Sequence, residues 1–311
     1  MPRTDGAAPA DALRRLKSGG KPAAAAALAT LERHPDAAES LALLEGAYGA
    51  PLAHVVGLTG PPGVGKSTLA GALIRIYRRQ GRRVAVIAVD PSSRRSGGAL
   101  LGDRTRLATD PQDDGVYVRS MAARDRLGGL AELTIGAMVL LRALYDIVLL
   151  ETVGVGQSET DVADCADTVV FCVQPGSGDS LQFMKAGIVE IPHLVVVTKS
   201  DMGASAARAR ADVEGALGLA ETGEAAMEVL SLSAARGEGV DALLAAIDRR
   251  WEWLGAKGRL TAQRHDQARQ WLIDSLRQRF GRNGLDRAGE VTLVADESPF
   301  AKLAEISRKL I

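Results

Sequence analysis

The segment Gly57–Thr68 reads GLTGPPGVGKST and follows the apolar run Ala53–Leu58. The apolar run predicts a buried strand of a parallel sheet. From Gly60 onwards the segment matches Gly-x-x-x-x-Gly-Lys-Ser, the pattern of a P-loop, in which glycines let successive backbone N–H groups point at one anion. The alternative is a chance match in a Gly- and Pro-rich turn, but a strand before and a helix after are the context that a P-loop requires. We therefore predict a nucleoside-triphosphate site.

The side chains of this P-loop have distinct predicted roles. A helix that begins at about Lys66 would direct its positive dipole end at the phosphates, and the ammonium of Lys66 would reach the β- and γ-phosphates. Ser67 would place its hydroxyl on Mg²⁺. The residues predicted to contact the nucleotide in this loop are Gly60, Gly63, Val64, Gly65, Lys66, Ser67 and Thr68.

The composition of the chain limits the other classes of function. Lys plus Arg balance Asp plus Glu at 38 each, so the surface as a whole has no field that would attract nucleic acid or an anionic membrane. No apolar run approaches the roughly 18–20 residues of a membrane span, and the first residues lack the apolar segment of a signal peptide. Cys165 and Cys172 fit neither a disulfide framework nor a CxxC metal site. We expect a cytoplasmic protein with two buried thiols and no nucleic-acid or membrane partner.

Apolar strand patterns alternate with helical patterns between Ala53 and Trp253. This alternation predicts an α/β fold, a P-loop nucleotide hydrolase with a central, mainly parallel sheet that helices cover on both faces. Residues 1–50 are rich in Ala and predict a helical N-terminal extension. We therefore predict three parts: this extension, the P-loop domain at residues 51–255 and a helical arm at residues 256–311.

The C-terminal arm shows a different pattern from the domain before it. A long helix is predicted over Leu260–Phe280, a loop over Gly281–Gly289 and a terminal helix over Phe300–Leu310. The arm has too few apolar residues to fold alone. We expect it to pack on the main domain or on another subunit.

A P-loop site also needs an acid on a neighbouring strand to hold Mg²⁺ or its water. The strand Asp146–Glu151 ends in Glu151, and Gly154 follows where its N–H can approach the γ-phosphate. Asp90 and Asp103 bracket a Gly- and Arg-rich loop at the edge of the sheet where ligands bind, and their carboxylates suit either a hard cation or the cap of a turn. The predicted metal ligands are Ser67, Asp90, Asp103 and Glu151.

The choice of base is predicted from the residues after the strand His193–Thr198. Thr198-Lys199-Ser200-Asp201 stands where GTPases place Asn-Lys-x-Asp. An ionised Asp201 would accept hydrogen bonds from guanine N1–H and the exocyclic amine, each worth about 1.5–3 kcal/mol, and adenine cannot supply them. Lys199 would lay its stem along the base.

Two further features bear on guanine recognition. Thr198 keeps one hydroxyl in place of the Asn amide that braces the base edge and the P-loop, so we expect guanine affinity to be weaker by about 1 kcal/mol with selectivity retained. Downstream, Ser233-Ala234-Ala235 follows a predicted strand and matches the Ser-Ala element that contacts guanine O6 through a backbone N–H. Together with the Asp201 motif, this element favours GTP and GDP as ligands.

Several motifs together resemble one family. The segments GPPGVGKST, VDPSS, SGGALLGDRTRL, ETVGVGQSE, QPGSGDSLQFMKAGI and TKSD are similar to those of the metallochaperone-like GTPases of MeaB/ArgK type, which chaperone adenosylcobalamin-dependent methylmalonyl-CoA mutase. The resemblance covers about residues 50–255, and the helical ends look similar. The segment RSMAARDRLGGL at residues 119–130 departs from the family at Ala122, Ala123 and Asp125, which suggests a different client mutase.

The resemblance implies more than the individual motifs do. It implies that Ser67, Asp90, Asp103 and Glu151 surround Mg²⁺. It also implies a mobile third switch over Gln174–Lys185, in which Lys185 matters for partner-stimulated hydrolysis, and a homodimer held by the C-terminal arm. The residues expected to be catalytic are then Lys66, Lys185, Glu151 and Gly154.

The expected function is that of a GTP-hydrolysing chaperone that gates cofactor loading into an acyl-CoA mutase and protects or reactivates it. One alternative is an ATP- or GTP-dependent kinase of a transport-system binding protein, a name that older records give to similar proteins. Another is a non-catalytic, nucleotide-dependent interaction module. Nickel insertion would predict a His-rich or CxxC loop, and the sequence has neither.

Overall fold

The computed structural model describes residues 8–91, 107, 109–123, 132–152, 162–176, 192–218 and 227–311. Predictions that concern Asp103, Gly154 and Lys185 lie outside the described residues. The chain divides into two compact units. One comprises Met1–Ala53, Glu132–Asp146 and Gly258–Ile311, and the other comprises His54–Ala131 and Ile147–Lys257. The division at about residues 50 and 255 into an extension, a domain and an arm stays a prediction.

The second unit contains the sheet, with seven strands among the described residues. These are β1 (His54–Thr59), β2 (Val84–Pro91), β3 (Val116–Ala123), β4 (Ile147–Glu151), β5 (Thr168–Val173), β6 (Leu194–Val197) and β7 (Glu228–Ser231). All their pairings are parallel, in the order β3-β2-β4-β1-β5-β6-β7. Strands β1, β4, β5 and β6 are buried along their whole length, as apolar strands of a doubly covered sheet must be. The predicted α/β P-loop fold is confirmed.

Helices accompany the strands in both units. They are α1 (Pro9–Ser18), α2 (Gly20–Arg33), α3 (Ala38–Tyr48), α4 (Lys66–Arg79), α5 (Glu132–Arg142), α6 (Ala204–Gly218), α7 (Val240–Gly255), α8 (Arg259–Ala288) and α9 (Pro299–Leu310). Helices α4, α6 and α7 belong to the unit that contains the sheet, and the other six to the helical unit. None of the described helices is both long and apolar enough to cross a membrane.

The core of the sheet unit lies on both faces of the sheet. Successive residues of a strand point to opposite faces, and β5 shows the consequence. Val170 and Cys172 pack in the cluster that contains the apolar side chains of α4 and α7. Phe171 and Val173 pack in the cluster formed with α6. Because both faces are apolar, the polar groups of these strands concentrate at their ends.

The parallel register aligns the strand ends that carry the predicted site. Leu58 of β1 pairs with Glu151 of β4, and Val173 of β5 pairs with Val197 of β6. The loops that follow these four strands therefore leave the sheet at the same edge. This is the edge where open α/β sheets bind their ligands.

The helical unit has a core of its own. Side chains at spacings of four on α8 face α9 and the segment between these helices, and the buried residues are Ala268, Leu272, Leu276, Val291, Leu293, Leu303 and Ile306. The rings of Trp271 and Phe300 lie 4.6 Å apart between their centroids. Arg279 forms ion pairs with Asp36 at 2.9 Å and with Glu132. The C-terminal segment thus packs with the N-terminal helices and with α5 in one unit.

The loop predicted over Gly281–Gly289 is wrong. Gly281 interrupts α8 with φ 68° and ψ −174°, but the helix resumes and ends at Ala288. Leu285 and Ala288 pack against the core of the helical unit, so burial stabilises this further helical segment. The first glycine of the segment was expected to end the helix, whereas the helix ends at Ala288 and is followed by Gly289, whose positive φ is typical of the residue after a helix.

Candidate nucleotide-binding site

The P-loop leaves β1 at Thr59 and reaches α4 through glycines with positive φ. The φ angle is 129° at Gly60, 74° at Gly63 and 101° at Gly65, a region that L side chains rarely adopt. At Gly60 an added Cβ would lie only 2.2 Å from the carbonyl oxygen of Cys172 in β5. The loop therefore lies directly against the backbone of the sheet at this point.

Lys66 is the first residue of α4, and its buried side chain folds over the loop. Its Nζ donates hydrogen bonds to the carbonyl oxygens of Gly60, at 2.6 Å, and Pro61, at 3.0 Å. These bonds hold the ammonium against the P-loop, where it could also contact a phosphate oxygen. Val64 is fully buried in the core, whereas Thr68 is exposed on the first turn of the helix.

The two described side chains of the predicted metal site contact each other. The Ser67 hydroxyl donates to Glu151 Oε1 at 2.5 Å, and the Glu151 side chain is buried. The contact arises because Glu151 pairs in register with Leu58, just before the P-loop. A hydroxyl and a carboxylate at this position are the oxygen donors that Mg²⁺ prefers, with phosphates completing its ligands.

The remaining predicted metal ligands are less fully described. Asp90 lies near the end of β2, and its backbone pairs with Ala122 of β3. Asp103 lies outside the described residues, as do the predicted catalytic residues Gly154 and Lys185. Within the described part of the chain, no group of three or more His, Cys, Asp or Glu side chains could hold a metal ion by itself.

Thr198 connects the guanine motif to two other elements. Its Oγ1 lies 2.7 Å from the carbonyl oxygen of Val64 in the P-loop and 2.9 Å from that of Val173 at the end of β5. Its backbone N–H also donates to Val173, at 2.8 Å. The Thr198 side chain is buried, and its hydroxyl connects the P-loop to the end of β5.

Lys199 adopts an uncommon backbone conformation, with φ 54° and ψ 41°. Its Nζ donates to the carbonyl oxygen of Gly63 at 3.0 Å, which adds a second link between this motif and the P-loop. A non-glycine residue with positive φ is uncommon and is often found at a functional site. The predicted position of the Lys199 stem beside a base stays a prediction.

Asp201 lies next to the second predicted base-binding element. The pKa of its carboxyl group is lowered, first by the neighbouring Ser233 hydroxyl, then by its own backbone N–H and by the positive charges of Arg236 and Lys199. Asp201 Oδ2 lies 3.9 Å from Arg236 Nε. The carboxyl group therefore stays ionised, as an acceptor for guanine requires. No sequence pattern pointed to Arg236.

The Ser-Ala element lies beside the Asp201 motif because a backbone hydrogen bond joins the two segments. The N–H of Ser200 donates to the carbonyl oxygen of Leu232 at 3.0 Å. Ser233 is buried and forms an isolated bridge with Glu238, while Ala234 is half-buried and Ala235 is exposed. The structure thus brings the P-loop, the Glu151 strand end and both elements that are predicted to bind the base to one edge of the sheet.

A family model described as "Methylmalonyl Co-A mutase-associated GTPase MeaB" matches residues 24–284. The chain belongs to the MeaB family of GTPases. The match includes the P-loop, Glu151, the Asp201 motif and most of α8. Membership explains why these elements occur together, since GTPases of this kind bind guanine nucleotides.

Curated relatives of this MeaB-family chain carry similar names. It is 37% identical to the GTPase ArgK of Escherichia coli over 301 residues, which are 92% of this chain and 90% of that protein. It is 48% identical to the putative GTPase PH0274 of Pyrococcus horikoshii and 41% identical to the mitochondrial methylmalonic aciduria type A homolog of Mus musculus. These two alignments span 61% and 74% of this chain, but only 60% and 57% of the relatives' own lengths.

Solved structures agree with the MeaB-family fold. The crystal structure of a protein named "LAO/AO transport system kinase" is 32% identical, with a TM-score of 0.71 and 99% of each chain covered. A Helicobacter pylori HypB structure in complex with nickel has a TM-score of 0.50 at 16% identity and covers 68% of this chain and 94% of its own. The second similarity concerns the fold alone.

Proposed function

We propose that this protein hydrolyses GTP as a chaperone of an adenosylcobalamin-dependent acyl-CoA mutase of the methylmalonyl-CoA mutase type. In this role it gates the loading of the mutase cofactor and protects or reactivates the mutase. The observation that carries the proposal is the contact of Ser67 with Glu151 beside the P-loop, in a chain whose family is described as mutase-associated. A bound triphosphate would change this contact, and a partner protein would detect the change.

The phosphate end of the site has a defined division of roles. The N–H groups of the P-loop and the ammonium of Lys66 bind the phosphates. Ser67 and Glu151 would hold Mg²⁺, with Asp90 and Asp103 as further proposed ligands. When bound, the cation would supply charge neutralisation at the phosphates. Gly154 is proposed to bind the γ-phosphate and Lys185 to act in partner-stimulated hydrolysis.

The base end of the site selects guanine. Asp201 accepts from the N1–H and amine groups of the base, and Lys199 lies along its face. Thr198 holds the loop in place, and the backbone of Ser233, Ala234 and Ala235 lies at the O6 side. These roles are supported by the ionised state of Asp201 and by the hydrogen bond that joins the two loops.

We also propose a homodimer held by the C-terminal arm and a cytoplasmic location. The support for the dimer is the resemblance of the helical ends to the family. The support for the compartment is that the buried thiols of Cys165 and Cys172 form no disulfide, as expected where thiols stay reduced.

The first experiment measures phosphate release from GTP and from ATP, with and without Mg²⁺ and with and without a purified acyl-CoA mutase encoded in the same genome. We expect slow, Mg²⁺-dependent GTP hydrolysis that the mutase accelerates, and no comparable reaction with ATP. Lys66→Ala should abolish the activity. Equal rates of hydrolysis for GTP and ATP would contradict the proposal. So would a rate of GTP hydrolysis that is already maximal without any mutase.

A substitution in the base pocket tests the choice of nucleotide directly. Asp201→Asn replaces an acceptor with an amide whose N–H can donate to the C2 carbonyl of xanthine, where guanine carries its amine. We expect this variant to lose GTP hydrolysis and to gain xanthosine triphosphate hydrolysis. A variant that still prefers GTP would show that Asp201 does not contact the base.

A kinase activity, which the name of the 32% identical solved structure suggests for that protein, is the main rival function. A nucleotide with a labelled γ-phosphate distinguishes the GTPase from the kinase, because a chaperone GTPase releases the label as inorganic phosphate and a kinase transfers it to a protein. Retention of the label on an added binding protein would favour the kinase over our proposal. Protection of the mutase by Lys66→Ala would instead indicate a non-catalytic interaction module.

A further inference from the structure

Lys199 Nζ contacts a second acceptor besides the P-loop. It donates to the carbonyl oxygen of Gly63 at 3.0 Å and to the side-chain oxygen Oε1 of Gln174 at 2.5 Å. These two acceptors come from different elements, since Gly63 lies in the P-loop and Gln174 directly follows β5. One ammonium group therefore joins three loops of the site.

The position of Gln174 follows from the sheet. Val173 pairs in register with Val197, so the residue after β5 lies beside the residues after β6. The N–H of Thr198 donates to the Val173 carbonyl oxygen, which fixes the two strand ends together. Pro175 follows Gln174 and restricts its backbone to an extended conformation. The Gln174 side chain is half-buried and reaches the Lys199 ammonium from the end of β5.

Lys199 needs a second hydrogen bond to hold it, because its side chain is long and exposed to solvent. Its left-handed backbone, with φ 54°, directs the side chain towards the P-loop. A lysine side chain has about 2 kcal/mol of rotamer entropy to lose when it is fixed in one position. A second, charge-assisted hydrogen bond reduces the positions that the ammonium can take before a nucleotide arrives.

We propose that Gln174 is a positioning residue for the guanine pocket, which acts by holding Lys199 in the orientation that binds the base. The side-chain oxygen of Gln174 and the carbonyl oxygen of Gly63 fix the Lys199 ammonium. The aliphatic stem of Lys199 then forms the flat surface on which a purine lies. Gln174 itself does not touch the nucleotide. The proposal rests on the proposed function, since it assumes that the pocket binds a guanine nucleotide.

The test is a double-mutant cycle on the full chain. The probe is guanosine diphosphate with a fluorescent label on the ribose, and the measured quantities are its Kd and its dissociation rate. The variants are Gln174→Ala, Lys199→Ala and their combination. Gln270→Ala serves as the matched control, because Gln270 on α8 donates to Asp274 on the surface of the helical unit.

We expect Gln174→Ala to raise the Kd about fivefold, mainly through faster dissociation, when Lys199 is present. In the Lys199→Ala background the same substitution should leave the Kd unchanged, because there is no ammonium to position. Gln174→Glu keeps an acceptor and should bind at least as tightly as the unsubstituted protein. Gln270→Ala should have no effect on the Kd.

Two outcomes would overturn the inference. One is an unchanged Kd in Gln174→Ala. The other is an equal loss of affinity with and without Lys199, which would indicate a general structural role. If the unsubstituted protein binds no guanosine diphosphate, the proposed function itself fails, and this result is distinct from those on Gln174.

Discussion

The hydroxyl oxygen of Thr198 lies 2.7 Å from the carbonyl oxygen of Val64, so the residue at the Asn position of the guanine motif is bonded to the P-loop. Thr198 is 3% exposed, and its hydroxyl also lies close to Val173. A hydroxyl has one proton, which these two carbonyl oxygens share. Threonine thus supplies the brace between loops that an Asn amide would supply, and its proton is committed within the protein.

Removal of this hydroxyl should weaken the binding of all nucleotides alike. We expect Thr198→Val to raise the Kd for GTP and for GDP by about five- to tenfold, since it removes the side-chain donor that joins the Val64 carbonyl oxygen of the P-loop to this motif. The preference for guanine over adenine should not change, because Asp201 provides it. Thr198→Ser keeps the hydroxyl and should bind within about twofold of the unsubstituted protein. Calorimetric titrations with GTP, GDP and ATP measure these effects, and a lost guanine preference would contradict the prediction.

The glycines of the P-loop should differ sharply in their tolerance of alanine. At Gly60 an alanine would have a φ near 129° and a Cβ at 2.2 Å from the Cys172 carbonyl oxygen. At Gly63 φ is 74° and no atom lies within 4 Å of the added Cβ. We expect Gly60→Ala to lower the free energy of unfolding by at least about 2 kcal/mol, and Gly63→Ala by about 1 kcal/mol. Urea unfolding of both variants gives the comparison, and equal losses would show that the clash at Gly60 relaxes.

Glu151→Gln should uncouple GTP binding from Mg²⁺. The substitution keeps the shape of the side chain but removes its charge, so we expect the Mg²⁺-dependent gain in GTP affinity and the hydrolysis rate to fall about 10- to 100-fold. GDP affinity without Mg²⁺ should stay close to that of the unsubstituted protein. Glu214→Gln on α6, where Glu214 pairs with Arg210 at the surface, is the matched control and should have no effect. A normal Mg²⁺ response in Glu151→Gln would exclude Glu151 from the metal site.

His193 gives the sheet unit a pH-dependent stability. Its Nδ1 accepts a hydrogen bond from the backbone N–H of Val169 at 2.9 Å. Burial, together with the nearby charges of Arg250 and His54, lowers the pKa of His193 to about 3, while Asp167 acts in the opposite direction. In the unfolded chain the pKa would be about 6.5. Between these pH values the unfolded state binds one proton more than the folded state.

The free energy of unfolding should therefore fall as the pH drops from about 6.5 towards 3, by about 1.4 kcal/mol per pH unit from this group. His193→Asn replaces Nδ1 with an amide oxygen that can accept from Val169, but it does not titrate. We expect this variant to have a flatter stability profile over that range in urea unfolding measured at successive pH values. An unchanged slope would show that other groups dominate acid unfolding.

Patterns along the chain were sufficient to predict much of the fold. The strand before the P-loop, the start of α4 at Lys66 and the end of β4 at Glu151 all follow from local apolar runs and from motif spacing. The continuation of α8 beyond Gly281 did not follow from such patterns, because Leu285 and Ala288 pack against a core that is formed by residues distant in the sequence. The pattern of residues within one segment does not show which of its side chains will be buried by a segment distant in the sequence.

The contacts within the site were only partly predictable. Ser67 and Glu151 were expected to share a metal, which placed them near each other before their contact was seen. The bond of Lys199 to Gln174 and the position of Arg236 beside Asp201 depend on strand order and register, and no spacing in the sequence encodes them. These are the features for which the structure was necessary.

The close approach of Gly60 to the backbone of β5 bears on how relatives of this protein can be judged. A descendant that had abandoned nucleotide turnover would still have to keep glycine there, because a methyl group has no space. That glycine alone is therefore a poor marker of a working enzyme. The joint presence of Ser67 and Glu151 is a better one, since neither side chain is required by its surroundings in the same way.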